Sequence, residues 1–410
     1  MIKFSSGFNK GIFTIPNFFL IGTTIVSQKI ILLLIAYFFT SLQYNTFNRA
    51  YYTASILIIF GTLGFEYAFT RIDIKLKTVA VGVLINVCVT FTILYLLSEP
   101  FTELYQVVSV FVYALFASLG GIFTFQYLFR GNTKMYVVMM LTNAALHISI
   151  IPVVKISDAD IFLVLPFVTL IWFMAGLKGF ISFNHKTGSL KTGYEKPDTD
   201  KKLATLYKLG LTTFIINSAV SLSLVADKYI VNHFFPIETA NAYTFSWGLI
   251  APIFYIGNLV EKMIYSSTSK DSMKVFRKAF IILFLLVAAY SVSLLSAVNF
   301  LPQIIPASVN TELFIGIISF MITGYAVYCV INFPVNGFLF KFAEVSKQKK
   351  IAASYVLILT IVPLSFFLIK GSFVVTDYKT LLLLIWTYIF SLAIVKTLVV
   401  FFPKAVVITK

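Results

Sequence analysis

Stretches of twenty or more nearly uninterrupted apolar residues recur along this chain, each closed by a short polar break. Crossing a bilayer as a helix takes roughly 20 consecutive apolar residues. Backbone polar groups in hydrocarbon can be satisfied only within a helix or a closed barrel. The pattern therefore predicts an all-α polytopic membrane protein. Uninterrupted apolar length places six helices at about 11–39, 50–70, 78–98, 104–129, 135–154 and 160–182, and six more at about 209–235, 240–260, 279–300, 312–340, 351–369 and 380–402. Composition agrees, because 59% of the 410 residues are hydrophobic and 12% charged, against about 25% charged in a soluble domain.

The organisation expected is an N-terminal six-helix half over 1–182, a cytoplasmic linker over 183–208 and a C-terminal six-helix half over 209–410. The linker, HKTGSLKTGYEKPDTDKK at its heart, has no apolar periodicity and is rich in Lys, Gly, Thr and Asp. Basic residues collect in cytoplasmic loops, and 24 of the 32 Lys and Arg fall at the termini and in alternate loops, against five on the other side. Both termini are thus expected in the cytoplasm. The net charge of +16 is spread over these loops rather than gathered into one domain, which argues against nucleic acid as a partner. The apolar run after Lys10 extends to about Phe39 without a small-residue cleavage site, so it reads as a retained helix. Cys88 and Cys329 both fall inside helices, and neither a disulfide framework nor a Cys-based metal site is implied.

The two halves echo one another. Helix one, FLIGTTIVSQKIILLLIAYFF, places Lys29 at 19 residues after Lys10; helix seven, FIINSAVSLSLVADKYIVNHFF, places Lys228 at 20 residues after Lys208. The following helices end in Glu66 and Glu261. An even number of helices per half makes the halves parallel repeats about an axis along the membrane normal.

An ionisable group near the bilayer centre costs at least about 2.5–3.5 kcal/mol, so each one needs a reason. Lys29 lies near the middle of an apolar stretch of about 28 residues, too deep to reach the headgroups. Lys178 and Lys396 lie about one turn from helix ends and are expected to snorkel to the surface. Glu66, with Arg71 beyond it, and Asp227 with Lys228 either line a polar cavity or form structural pairs. Successive residues on a helix do not face each other, so Asp227 and Lys228 are expected to find partners elsewhere. In a cavity, lysines would hold phosphate as point charges. Alanine at Lys29 or Lys228 is then expected to impair transport while leaving the protein inserted and abundant.

No phosphate loop, GxGxxG, HExxH or Cys/His pair at zinc spacing is present, so no cofactor is expected and the energy source is not ATP bound to this chain. Of His147, His185 and His233, His147 lies within a helix and is the candidate, beside Asp227, for coupling to H+ or Na+. Pro16, Pro252 and Pro334, with Gly61 and Gly64, sit where helix bending would serve gating.

The run FNRAYYTASILIIFGTLGFEYAFTRIDIK, through Gly64, Glu66, Tyr67, Ala68 and Arg71, resembles the helix-two segment of O-antigen and polysaccharide repeat-unit flippases of the multidrug/oligosaccharidyl-lipid/polysaccharide (MOP) exporter superfamily. The run ADKYIVNHFFPIETANAY, through Asp227, Lys228, Ala242 and Tyr243, resembles that family's helix-seven entry. The resemblance implies a MATE-like MOP exporter fold. It also implies transfer of an undecaprenyl-diphosphate-linked oligosaccharide across the bacterial inner membrane by alternating access. A central cavity would be lined by Lys29, Glu66, Arg71, Asp227, Lys228 and Glu261, with a polysaccharide polymerase and a chain-length regulator as protein partners. Two other readings stand beside it. A membrane-embedded O-antigen polymerase would carry a large outward loop with paired arginines, whereas outward loops here are short and arginines number four. A cation-coupled multidrug exporter of the same fold would carry several carboxylates in its first half, where Glu66 is the one deep acidic residue.

Overall fold

A computed structural model describes residues 33–65, 76–98, 101, 103–129, 133–157, 159–187, 202–266, 271–298, 300, 303, 305–342, 350–351, 353–358 and 377–401. Among them the chain is almost wholly helical, with no strand. Besides helical residues at 33–38, 350–351 and 353–358, the helices are α1 (Ser41–Thr62), α2 (Leu76–Ser98), α3 (Leu104–Phe129), α4 (Thr133–Ile148), α5 (Ile150–Ser157), α6 (Ile161–Thr187), α7 (Lys202–Phe234), α8 (Ile237–Ser266), α9 (Ser272–Ala297), α10 (Thr311–Phe342) and α11 (Tyr378–Phe401). Packing divides the chain into two compact units, Met1–Phe214 and Ile215–Lys410, the division falling inside α7.

Short polar side chains start the helices. Thr40 caps α1 with Gln43 in a reciprocal capping box. Asp160, Asp271, Asn310 and Asp377 each accept a bond from a backbone N–H two or three residues into α6, α9, α10 and α11, satisfying donors that a helix start leaves open. The stretch read as one helix over 135–154 is two, α4 and α5, broken at Ser149. Proline clashes with the carbonyl four residues before it, and Pro152 places that clash at Ile148, the last residue of α4. Part of the stretch read as linker is helical: α6 runs on to Thr187 and α7 already begins at Lys202.

In the first unit α3 is the central helix, packed against α1, α2, α4 and α6. In the second α10 holds that place, packed against α8, α9 and α11. The close approach of α8 to α10 sets Gly257 under the ring of Phe333, and Gly324 of α10 lies under Trp386 of α11. Small residues let membrane helices approach this way. Central and outer helices differ in burial: 61% of the most apolar stretch of α3 is buried, against 22% for α2. The outer faces expose Leu84, Val89 and Ile93 on α2 and Ile281, Phe284 and Leu285 on α9, a surface suited to lipid and not to water.

Seven helical segments among the described residues are long and apolar enough to cross a membrane: α2, α3, α4 with α5, α6, α9, α10 and α11. The long helices α1, α7 and α8 are outside that set. Many of their polar residues are buried. Asn45, Asn48 and Thr53 on α1, Asp227, Lys228 and Asn232 on α7, and Asn241, Thr244, Ser246 and Glu261 on α8 are all buried.

The end of α1 is tied down within the first unit. Leu63 closes the helix in the left-handed conformation and Gly64 follows at φ +70°. A Cβ on Gly64 would lie 2.6 Å from the Gly210 carbonyl oxygen of α7, and one on Gly210 would lie 2.6 Å from that of Leu63. Around this contact Asn86 of α2 donates to the Gly61 carbonyl at 3.1 Å and accepts from the Tyr207 hydroxyl at 2.8 Å. Gly64→Ala should therefore destabilise by at least the ~1–2 kcal/mol of a left-handed non-glycine residue, because its methyl group meets backbone. Gly121→Ala, whose added Cβ meets nothing within 4 Å, should be neutral or stabilising by up to about 1 kcal/mol. Thermal unfolding of the two variants in detergent checks the contrast; equal melting temperatures would refute it.

Candidate functional site

Three polar sites lie inside the described helices. The first is in the second unit, where α7 turns through Phe235 and Pro236 into α8. Asn232 fastens the turn, donating to the Lys228 carbonyl at 2.8 Å and to the Thr244 hydroxyl at 3.0 Å. Just before it, Asp227 and Lys228 are wholly buried and form an ion pair. The Lys228 Nζ donates to both carboxylate oxygens, at 2.8 and 2.9 Å. The Tyr243 and Tyr325 hydroxyls donate to Asp227 Oδ2 at 2.7 and 3.2 Å, and the Lys228 backbone N–H to Oδ1 at 2.8 Å. The ammonium sits 3.3 Å from the ring centroid of Trp247, whose ring in turn meets Tyr325 edge-on. Burial multiplies the worth of such a cation–π contact. Every component of the pair is thus answered by hydrogen bonds or ring faces, as a buried charge requires.

This corrects the expectation that Asp227 and Lys228 look elsewhere for partners. The rule that successive helical residues diverge applies to the directions in which side chains leave the backbone. Four methylenes let the lysine fold back across that divergence, and an apolar surround gives it reason to do so. Alanine at Lys228 alone would strand Asp227, and stranding one partner of a buried pair costs about 3–5 kcal/mol. The Lys228→Ala variant therefore reports stability together with transport.

The second site is also in this unit. Lys396 of α11 donates to Asn332 Oδ1 at 2.8 Å and Asn336 Oδ1 at 3.0 Å, both on α10, and lies 5.9 Å from the Tyr355 ring centroid. Asn336 donates its amide to Glu261 of α8 at 2.7 Å. The side chain of Lys396 is 2% exposed, so it is not a surface anchor; Lys178 of α6 is exposed. Nearness to a helix end misled because two amide oxygens one turn apart offer the ammonium closer partners than the headgroups do. Glu261 is not at its helix end, since α8 continues to Ser266.

The third site is a cavity of about 340 Å3 within the first unit, between α1, α3, α4 and α6. His147 borders it, with Nδ1 on the Asn143 carbonyl at 2.9 Å and Nε2 on the Tyr113 hydroxyl at 2.9 Å. A carbonyl only accepts, so the ring donates to it through Nδ1–H. His233 donates its Nδ1–H to the Tyr229 carbonyl of its own helix at 2.9 Å and stacks on Tyr229. Lys29, Glu66 and Arg71 lie outside the described residues. Sequence reading missed Tyr325, Trp247, Asn332, Asn336 and the cavity wall. Asn332 and Asn336 carried a usable signal, two amides at i and i+4 in an otherwise apolar helix; the aromatic partners carried none.

If Lys396 ties α10 to α11, Lys396→Met leaves two amide oxygens unanswered at about 1–3 kcal/mol each, whereas Lys178→Met should stay within about 0.5 kcal/mol. Equal melting temperatures in detergent would contradict the tie.

No family model matches the chain, and no curated protein matches it. Among solved structures it is similar to a MOP superfamily transporter from Pyrococcus furiosus, with a TM-score of 0.51 and 12% identity over 93% of both chains. A likeness at that identity is one of architecture, and it spans nearly the whole length. The chain has the fold of a MOP superfamily membrane transporter.

Proposed function

We propose that this chain is a flippase of the bacterial inner membrane. It carries an undecaprenyl-diphosphate-linked oligosaccharide, the repeat unit of an O-antigen or another polysaccharide, between leaflets by alternating access. In this reading twelve helices form two parallel six-helix halves, 1–182 and 209–410, with both termini cytoplasmic. The fold shared with a MOP superfamily transporter supports a transporter, and the one-sided distribution of Lys and Arg supports the orientation.

The observation that carries the reading is the Asp227–Lys228 pair, sealed at zero exposure among Tyr243, Tyr325 and Trp247. A bare lysine in the bilayer interior is costly, but one already resting on a carboxylate can exchange one anion for another. A diphosphate entering the site would replace Asp227 as the partner of Lys228, and Asp227 would fall back on its two tyrosine hydroxyls. Lys29, Glu66, Arg71 and Glu261 are proposed as further residues that line the transport path. Asp227, released from its lysine, and His147 are the groups proposed to couple transport to H+ or Na+. A polysaccharide polymerase and a chain-length regulator are the proposed partners downstream.

The Asp227→Asn/Lys228→Gln double variant removes both charges together and strands neither. In proteoliposomes carrying a fluorescent undecaprenyl-diphosphate-linked oligosaccharide, it should slow leaflet exchange by about tenfold or more, the loss of one charge-assisted contact. Its melting temperature should stay near that of the wild type. Exchange at the wild-type rate, or a wild type no faster than protein-free liposomes, would overturn the reading.

A further inference from the structure

The cavity of the first unit has a wall of two kinds. Aromatic rings come from Phe47 and Tyr51 of α1, Tyr136 of α4 and Trp172 of α6. Trp172 is held in place by its own indole N–H, which donates to the Met139 carbonyl at 3.1 Å. Between the rings lie three hydroxyls whose hydrogens are already spent. Ser55 donates to the Tyr51 carbonyl at 2.7 Å, Thr124 to that of Gly120 at 2.8 Å, and Thr169 to that of Pro166 at 3.2 Å. A hydroxyl bonded back to its own helix offers the cavity only lone pairs. Asn143 Oδ1 adds a fourth acceptor, buried on the cavity wall and without a hydrogen-bond partner among the described residues. No Lys, Arg, Asp or Glu is among the described lining residues.

That chemistry selects its occupant. A phosphate would find no lysine or arginine among the described lining residues to match its charge. A cation would find ring faces but no counter-charge. A neutral molecule rich in O–H donors, with C–H faces that stack on rings, satisfies both kinds of wall at once. A buried acceptor left without a partner carries a desolvation cost, which such a donor removes. The volume of about 340 Å3 lies at the small end of the roughly 300–1,000 Å3 of small-molecule sites, room for one or two sugar residues and not for a whole repeat unit.

We propose that this cavity is a carbohydrate subsite that takes one or two uncharged sugar residues, stacked on Trp172 and the tyrosines and donating to Asn143 and the three hydroxyls. The subsite deepens the flippase reading and rests on it for its biological ligand. It concerns recognition of the sugar and not of the diphosphate.

Gly121 of α3 gives the test its leverage, because it lines the cavity and a Cβ there meets open space. Full-length protein in nanodiscs is titrated with the methyl glycosides of glucose, galactose and N-acetylglucosamine and with their disaccharides, all without lipid or phosphate. Saturation-transfer NMR and calorimetry read binding. At least one sugar should bind saturably, with Gly121→Phe abolishing the signal and Asn143→Leu weakening affinity by about tenfold, one hydrogen bond, each variant melting as the wild type does. Should Gly121→Phe fail to fold, Asn143→Leu decides alone. No saturable sugar binding, sugar binding that survives both substitutions unchanged, or tetraphenylphosphonium binding in place of sugar would overturn the subsite. Transport of lipid-linked oligosaccharide without sugar binding sinks the subsite and spares the flippase. Sugar binding that depends on Gly121 and Asn143 without transport does the reverse.

Discussion

A charge buried in a helix bundle built for lipid must be matched inside the protein, because neither water nor the hydrocarbon will match it. In the second unit that requirement organises three helices around one pair. Asp227 and Lys228 on α7 are bonded to each other, Tyr243 and Trp247 of α8 cover them, and Tyr325 of α10 completes the shell. The turn at Phe235 and Pro236, fastened by Asn232, is what brings α8 close enough to supply its share. Lys396 repeats the solution with different parts, two asparagine oxygens on α10 and, through Asn336, the carboxylate of Glu261. Among the described residues, the wholly buried ion pair lies in the second unit, and no Lys, Arg, Asp or Glu lines the cavity of the first.

Much of the fold was legible because lipid imposes a single rule, a long apolar helix, and a chain that obeys it shows it in its sequence. Helices α2, α3, α6, α10 and α11 lie within about two residues of the expected starts. The failures have physical causes. Hydropathy starts α1 at 50 instead of Ser41 because SLQYNTFNR is polar, yet Tyr44, Asn45, Phe47 and Asn48 are buried, so the polarity belongs to the interior. The start of α9 was placed late because Lys274, Arg277 and Lys278 occupy its first turns. Hydropathy sees composition, and cannot tell a polar residue facing a neighbouring helix from one facing water.

The site was legible in its charges and not in their company. Asp227, Lys228 and Glu261 stood out as ionisable residues in apolar surroundings, and each is buried. What answers them comes from helices far along the chain, Tyr325 and Asn336 about 98 and 75 residues away, and one sequence carries no signal for that. The cavity was invisible for the same reason, since serine, threonine and aromatic residues in a membrane helix look alike whether they line a void or fill one.

The central claim is that Asp227 and Lys228 act as a unit whose members cannot be removed one at a time. A double-mutant cycle with Asp227→Asn, Lys228→Gln and both together, read as unfolding free energy in detergent, tests it directly. The account predicts that each single substitution destabilises by about 3–5 kcal/mol and that the double variant recovers most of the loss. Additive single and double losses would show that the two charges answer to other partners, and would contradict it.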